Sequence, residues 1–242
     1  MRYLALATDY DGTLAHDGAV DQPTLDALKR ARAAGLKLIM VTGRDLPDLQ
    51  RVFPHLDHFD RIVAENGAMI YNPATQGVRM LAPPPPAQFL DALRRKNVPL
   101  SVGRTIVATV EPHEQTVLAT IRDLGLEWHV IFNKGSVMAL PSSITKATGL
   151  DETLDELRIP VERSIGVGDA ENDHAMLRLC GLGVAVANAL PSLKADADLV
   201  TNGARGAGVT ELIDKMLANE LELITPQPDL HEPSVGRTKA GL

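Results

Sequence analysis

An α/β fold is predicted: a mostly parallel sheet in three layers, αβα, with a second, α+β unit inserted into it. Three observations predict it. Short β-rich runs alternate with amphipathic helical stretches in both the first and the last third of the chain. The middle breaks that alternation with paired β-like runs that follow Pro83-Pro84-Pro85-Pro86. The chain has 242 residues, 45% of them hydrophobic, which suffices for one large core with a smaller companion.

Taken in order, the apolar run 3–8 predicts a buried strand. The stretch 24–34 carries Leu25, Leu28 and Ala31 at helical spacing, with Asp21 or Gln22 near its start and Gly35 as a stop. A second strand over 36–41, a short helix over 46–53 and a third strand over 61–64 follow. After Val161 the alternation resumes. Strands are predicted over 164–167, 183–186 and 198–200, and helices over 172–179, near 191–194 and over 209–217. Such alternation implies right-handed crossovers and a parallel sheet covered on both faces, a Rossmann-like core. Ligands of these sheets bind at the carboxyl ends of the strands.

The four prolines predict a stiff linker. Beyond it the pattern gives helix 87–95, β-like runs 100–102 and 105–110, helix 114–124, and runs 128–132 and 137–140 joined at Asn133-Lys134-Gly135. This αββαββ block predicts an antiparallel sheet with helices on one face. The expected division is therefore 1–82 with 144–218 for the core and 83–143 for the insert. Residues 219–242, Pro-rich and polar, are expected to form a linker or a disordered tail.

Composition narrows the function. Net charge is −7, and the dense basic spots (Lys29, Arg30, Arg32 and Arg94, Arg95, Lys96) fall in helical patterns, where they read as solvated faces. This argues against nucleic acid as a partner. The single cysteine, Cys180, rules out a disulfide framework within one chain. No apolar run is long enough for a membrane span, and the start of the chain is too short for a signal peptide, so a cytoplasmic protein is expected. Either a monomer or a homodimer fits.

Four segments, each after a predicted strand or at a predicted helix start, hold the unusual residues. The first is Asp9-Tyr10-Asp11-Gly12-Thr13-Leu14. Two carboxylates spaced by one residue can share a hard divalent cation such as Mg²⁺. A carboxylate held there can attack phosphorus, and the second can protonate a leaving oxygen and then activate water. A plain turn or helix cap is the alternative. In the second, Thr42-Gly43-Arg44, hydroxyl and backbone N–H groups suit a phosphate at a helix N-terminus, although a Thr-Gly turn would look the same. The third is Lys146, unfavourable at a helix start unless an anion is near; a surface lysine is the alternative. The fourth is Gly168-Asp169-Ala170-Glu171-Asn172-Asp173. Capping accounts for one of its polar groups, and metal ligation by Asp169, supported by Asn172 and Asp173, accounts for the others.

The order of these motifs, DxDGT, TGR, a lone Lys and GDxxND, resembles the haloacid dehalogenase superfamily of phosphatases. Glu65-Asn66-Gly67-Ala68 and the large insert resemble its Cof-like branch, with a compact type-two cap. The resemblance covers residues 1–218. It implies a phosphatase acting on a small phosphorylated metabolite, a sugar phosphate or a phosphoglycolate-like ester, through an aspartyl-phosphate. Asp9 would be the nucleophile and Asp11 the acid/base, while Thr42, Gly43 and Lys146 would bind the phosphoryl group. The Asp9 side chain, the Asp11 backbone carbonyl and Asp169 would bind Mg²⁺. Arg44, Glu65, Asn66, Arg104 and Asn188 would lie near the site mouth. Arg104, Lys134, His113 and Glu65 are the candidates to contact the leaving group. A phosphomutase using the same intermediate, or a non-catalytic sensory or partner-binding module of the same fold, are the competing readings.

Overall fold

A computed structural model describes residues 2–133 and 135–223. In chain order it contains β1 (Ala5–Thr8), α1 (Gln22–Ala33), β2 (Lys37–Val41), α2 (Leu46–Val52), β3 (Arg61–Ala64), β4 (Met69–Asn72) and β5 (Gly77–Met80). Next come α3 (Ala87–Arg95), β6 (Ser101–Val102), β7 (Val107–Val110), α4 (Glu114–Asp123), β8 (Trp128–Asn133) and β9 (Ser136–Pro141). The chain continues with α5 (Lys146–Leu157), β10 (Ser164–Gly168), α6 (His174–Leu179), β11 (Leu182–Ala185), α7 (Pro191–Ala195), β12 (Leu199–Val200) and α8 (Arg205–Leu217).

Eight strands form one sheet in the order β12-β11-β10-β1-β2-β3-β4-β5. Pairing is parallel from β12 to β3. From β1 the chain moves outward to β2 and β3, then returns on the other side of β1 to add β10, β11 and β12. The order therefore reverses between β1 and β10, and the crevice at their carboxyl ends lies between Asp9 and Asp169. The central strands read as continuous apolar runs because both faces are covered: β1 is wholly buried, as are all of β10 and β11.

Local signals set the helices. Asp21 caps α1 by accepting a hydrogen bond from the Thr24 N–H at 2.9 Å, and Arg30 and Arg32 sit in its last turn, where the helix dipole favours cations. Leu25, Ala27, Leu28 and Ala31 give α1 its buried stripe. Thr145 and Thr148 form a reciprocal capping box at the start of α5.

The four-stranded sheet, order β6-β7-β9-β8, is antiparallel throughout. Period-two alternation divides its side chains. Val107 and Ala139 face α3 and α4, packing with Phe89, Leu93, Val117 and Ile121. Ile106, Met138 and Leu140 face the other way, packing with Ala68 and Ile144. The first face builds the insert's own small core, and the second meets the larger sheet.

Several boundaries differ from the sequence expectation. The hairpin β4–β5 was not expected at all. It adds two antiparallel strands to the edge of the main sheet. All four residues of β5 are exposed, so no hydrophobic period marks it. The expected helix 172–179 divides into a 3-10 turn, Glu171–Asp173, and α6. The last helix starts at Arg205, four residues earlier than the apolar pattern suggested. Residues 220–223 form a 3-10 turn that places Leu221 in the main core, so the body of the fold runs past 218; the rest of the expected tail lies outside the described residues. No helix among the described residues is long and apolar enough to cross a membrane.

Cys180 ends α6 and is buried against the main core. Burial pushes its thiol up to about 12, offset slightly by a hydrogen bond with Ser164. The thiolate is the reactive form. At pH 8 the native protein should therefore resist alkylation by iodoacetamide, while the urea-unfolded chain reacts at the rate of a free cysteine. Mass spectrometry of quenched samples checks this.

Candidate active site

The four motifs meet at the crevice between β1 and β10. Asp9 follows β1 and Asp169 follows β10; the Asp9 N–H donates to the Val167 carbonyl at 3.0 Å, tying the two strand ends together. Lys146 is the first residue of α5. Its ammonium donates to Asp9 Oδ1 and to Asp173 Oδ1, both at 2.6 Å, and its side chain is 1% exposed. A cation at a helix N-terminus opposes the dipole, and two buried carboxylates supply the anions that reverse this. Those carboxylates hold the ammonium protonated, raising its pKa against the opposing effect of burial. Asp9 moves the other way from a usual carboxylate: burial, with Asp173 and Asp169 nearby, pushes it up to about 7 even though Lys146 lowers it.

The approach of Lys146 depends on close backbone packing. Glu65, Asn66 and Gly67 all have positive φ, at 50°, 53° and 112°. A Cβ on Gly67 would lie 1.9 Å from the Thr145 carbonyl oxygen, and one on Gly149 would lie 2.6 Å from the Gly67 Cα. Glycine at both positions lets α5 sit directly on this turn, with its first residue aimed at Asp9.

Asp9, Asp169 and Asp173 can each offer a carboxylate oxygen within 4.8 Å of the others, and all three are buried. Their engagements differ. Asp173 is taken up by three donors, Lys146 through Oδ1 and the Asp169 and Ala170 N–H groups through Oδ2, at 2.9 and 3.0 Å. Asp169 accepts longer bonds from Thr13 Oγ1 and Asn188 Nδ2, both 3.3 Å. Three carboxylates against one ammonium leave a buried negative excess that calls for a cation, and an all-oxygen donor set suits a hard one. Asn172 adds to this fit. Its Nδ2 donates to Asn66 Oδ1 at 2.9 Å, while its buried Oδ1 has no hydrogen-bond partner among the described residues.

Asp11 faces a different neighbour. Arg44 grips its carboxylate with two hydrogen bonds, Nε to Oδ2 at 2.7 Å and Nη2 to Oδ1 at 2.8 Å. Arg44 is in turn held by Asp48, four residues on, and its guanidinium lies 5.6 Å from the centre of the Tyr10 ring. Bidentate pairing of this kind fixes orientation as well as charge. Thr42 is buried, and its hydroxyl oxygen accepts from the Arg44 N–H at 3.1 Å. Asp9, Asp11, Gly43 and Arg44 open onto a cavity of 470 Å³. Its opposite wall comes from the four-stranded sheet, through Ser101, Ala108, Asn133, Ser136 and Met138, and from the loop between β6 and β7, through Gly103 and Ile106.

The structure thus gathers Asp9, Lys146, Asp169 and Asp173 into one cluster. Asp11, Gly43 and Arg44 border it, with Thr42, Asn66, Asn172 and Asn188 one contact away. Two candidates for the cavity mouth are placed elsewhere. Arg104 lines a separate apolar groove with Met80, Pro83–Pro85 and Leu90. Glu65 is buried, with its carboxylate turned to backbone amides of the insert rather than into the cavity. His113 sits just before α4 and is not a wall residue, and Lys134 lies outside the described residues. Sequence reading passed over Asp48, although its i,i+4 spacing from Arg44 was visible. It also passed over Thr13, whose contact with Asp169 joins the first and fourth motifs, and over Met138, whose sulfur accepts from Asn66 Nδ2 at 3.1 Å.

Comparison with known proteins identifies the family. The family model for haloacid dehalogenase-like hydrolases matches residues 6–113 and 96–213. A phosphoglycolate phosphatase of Methanothermobacter thermautotrophicus is 30% identical over 222 residues, spanning 88% of this chain and 98% of that protein. Phosphoglycolate phosphatase 2 of Saccharolobus solfataricus is also 30% identical, over 89% of this chain and 93% of its own length. Among solved structures, a HAD/COF-like hydrolase from Plasmodium vivax superposes with a TM-score of 0.78 at 21% identity, covering 90% of this chain and 96% of that one. A subclass IIB sugar phosphatase superposes with a TM-score of 0.70 at 22% identity, covering 90% and 98%. The chain belongs to the haloacid dehalogenase-like hydrolases, as a phosphatase of their Cof-like branch.

Proposed function

We propose that this phosphatase hydrolyses a sugar phosphate or a phosphoglycolate-like ester with Mg²⁺ as cofactor, Asp9 as nucleophile and Asp11 as general acid and base. The observation that carries the assignment is Lys146, a buried ammonium 2.6 Å from Asp9, which itself lines the cavity. A buried cation beside a buried carboxylate suits a group that receives a dianionic phosphoryl centre. The names of the curated relatives point to small esters.

The Asp9 carboxylate and Asp169, with the Asp11 backbone carbonyl, would hold Mg²⁺; Asp173, whose oxygens already accept three hydrogen bonds, supports them. Bound there, the ion would neutralise phosphoryl charge and align the ester with Asp9. Asp9 attacks phosphorus, and its new O–P bond forms as the ester O–P bond breaks. Asp11 gives its proton to the departing oxygen. In the second half Asp11 takes a proton from water, which attacks the aspartyl-phosphate, releases phosphate and restores Asp9. Lys146, the Thr42 hydroxyl and the Gly43 loop hold the phosphoryl oxygens, and Arg44 orients the Asp11 carboxyl. Residues 83–143 form the cap in this reading, and 1–82 with 144–218 the catalytic core. The cap wall limits water around the reacting carboxylates.

A panel of sugar phosphates, phosphoglycolate, nucleotides and pyridoxal phosphate, assayed for free phosphate with Mg²⁺ and with EDTA, tests the assignment. Release from at least one ester, lost in EDTA and needing no bisphosphate activator, is expected. Silence across the panel would sink the hydrolase reading, and dependence on a bisphosphate would mark a mutase.

A further inference from the structure

Glu65 is a carboxylate with 1% exposure, and among the described residues no cation pairs with it. Its side chain leaves the end of β3 and enters the loop between β6 and β7. Oε1 accepts from the Arg104 N–H at 2.9 Å, and Oε2 accepts from the Thr105 and Ile106 N–H groups at 2.8 and 3.0 Å. Three aligned backbone dipoles therefore replace the water that this charge would otherwise require. Gly103 leaves the room: a Cβ there would lie 2.8 Å from the Glu65 carboxylate and 2.6 Å from Ile106 Cγ2.

The backbone of the same residue is tied to the catalytic side. The Glu65 N–H donates to the Arg44 carbonyl at 2.9 Å, and the Asn66 N–H donates to the Thr42 carbonyl at 3.0 Å. Glu65 also holds a positive φ, a conformation that a non-glycine residue keeps only where its surroundings over-determine it. One residue thus joins the loop carrying Thr42 and Arg44 to the loop carrying Gly103 and Ile106. Both loops line the cavity above Asp9 and Asp11, on opposite sides.

We propose that Glu65 is a positioning residue that fixes the spacing between the 103–106 wall and the reacting carboxylates, and so sets the size of leaving group the site accepts. The inference rests on the phosphatase reading. It assigns Glu65 no contact with substrate and no proton transfer. In a cavity of 470 Å³ a displacement of one wall changes how tightly a leaving group is held in line for attack. Loss of the carboxylate would release the wall, loosening the grip on small esters and admitting larger ones.

The test compares wild type, Glu65→Ala, Glu65→Gln and Gly103→Ala on a series of esters graded by size, from phosphoglycolate and glycerol phosphates to 4-nitrophenyl and naphthyl phosphates, with Mg²⁺ present. For Glu65→Ala we expect KM for the smallest good ester to rise at least ~10-fold with a smaller change in kcat, as expected when binding rather than chemistry is lost. We also expect the kcat/KM ratio of naphthyl to small ester to rise about 10-fold or more. Glu65→Gln, which keeps one acceptor, should fall between. Gly103→Ala should shift the ratio in the same direction with Glu65 chemically intact, and it stands in if the Glu65 variants do not fold. Hydrogen exchange gives a readout independent of turnover: the amides of residues 104–106 should exchange faster in Glu65→Ala. A wild type active on small esters, with size ratios unchanged in the folded variants or with kcat/KM lowered by one common factor across the series, overturns the proposal. A wild type that hydrolyses no ester overturns the phosphatase reading itself, and this inference with it.

Discussion

Asparagine at position 9 will abolish Mg²⁺-dependent phosphate release and, in the metal-free protein, raise stability at alkaline pH. Loss of a nucleophile costs on the order of 10⁴-fold or more in kcat, because binding and electrostatic stabilisation alone support only residual catalysis. The stability gain follows from the burial of Asp9. Its carboxyl is pushed up to about 7, chiefly by burial, against about 3.9 in an unfolded chain. Between those values the folded state binds the proton that the unfolded state has lost. The stability Asp9 contributes is therefore present below about pH 4 and disappears as pH rises through about 7. Asparagine keeps the shape and an acceptor for Lys146, carries no charge and does not titrate. The melting temperature of Asp9→Asn minus that of wild type should accordingly increase from pH 5.5 to pH 8 in EDTA. Circular dichroism melts at the two pH values check the sign, and phosphate release on the best ester checks the chemistry. A difference that shrinks with pH would mean that Lys146 more than compensates the buried charge.

Much of this site could be read from the sequence because its chemistry sits on side chains at fixed offsets from buried strands. Asp9, Thr42 and Asp169 each follow a run of apolar residues that only a covered parallel strand explains, and the crevice between the first and the tenth strands gathers them. Lys146 was legible as an anomaly, a cation where the helix dipole disfavours one. What escaped reading depends on backbone groups or on weak patterning. The edge hairpin carries no alternation because its outer strand is exposed throughout. Glu65 looked like a residue facing substrate, since an acid before Asn-Gly gives no hint that three amides 39 to 41 residues later will claim it. Backbone N–H groups have no letter in a sequence; only the glycine at 103, which makes room for the carboxylate, leaves a trace.

Lys146→Met should weaken both catalysis and the fold, the latter increasingly as pH rises. Methionine keeps much of the side-chain length and removes the ammonium. Asp9 and Asp173 then stay buried, 6% and 0% exposed, without the cation that bridges them. Breaking a buried pair by deleting one partner typically costs about 3–5 kcal/mol, because the remaining charge has neither water nor counter-ion. Asp173 keeps its two backbone donors, the Asp169 and Ala170 N–H groups. Asp9 loses the group that lowers its pKa, so it will rise above the value of about 7 found beside Lys146. The variant therefore recovers stability by keeping Asp9 protonated, and that recovery is lost as pH climbs through the new, higher value. Urea unfolding in EDTA should show a modest deficit near pH 5.5 and a larger one at pH 8. On the catalytic side Lys146 donates to the nucleophile and, in the proposed reaction, to the phosphoryl group as its charge spreads. Removal of one such preorganised donor costs on the order of 10²–10³-fold in kcat. The ratio of the two losses separates the roles of the lysine. A kcat loss at pH 5.5, where the fold is least affected, belongs to its part in the reaction. The further loss at pH 8, if it tracks the fraction unfolded, belongs to its part in holding two buried carboxylates together.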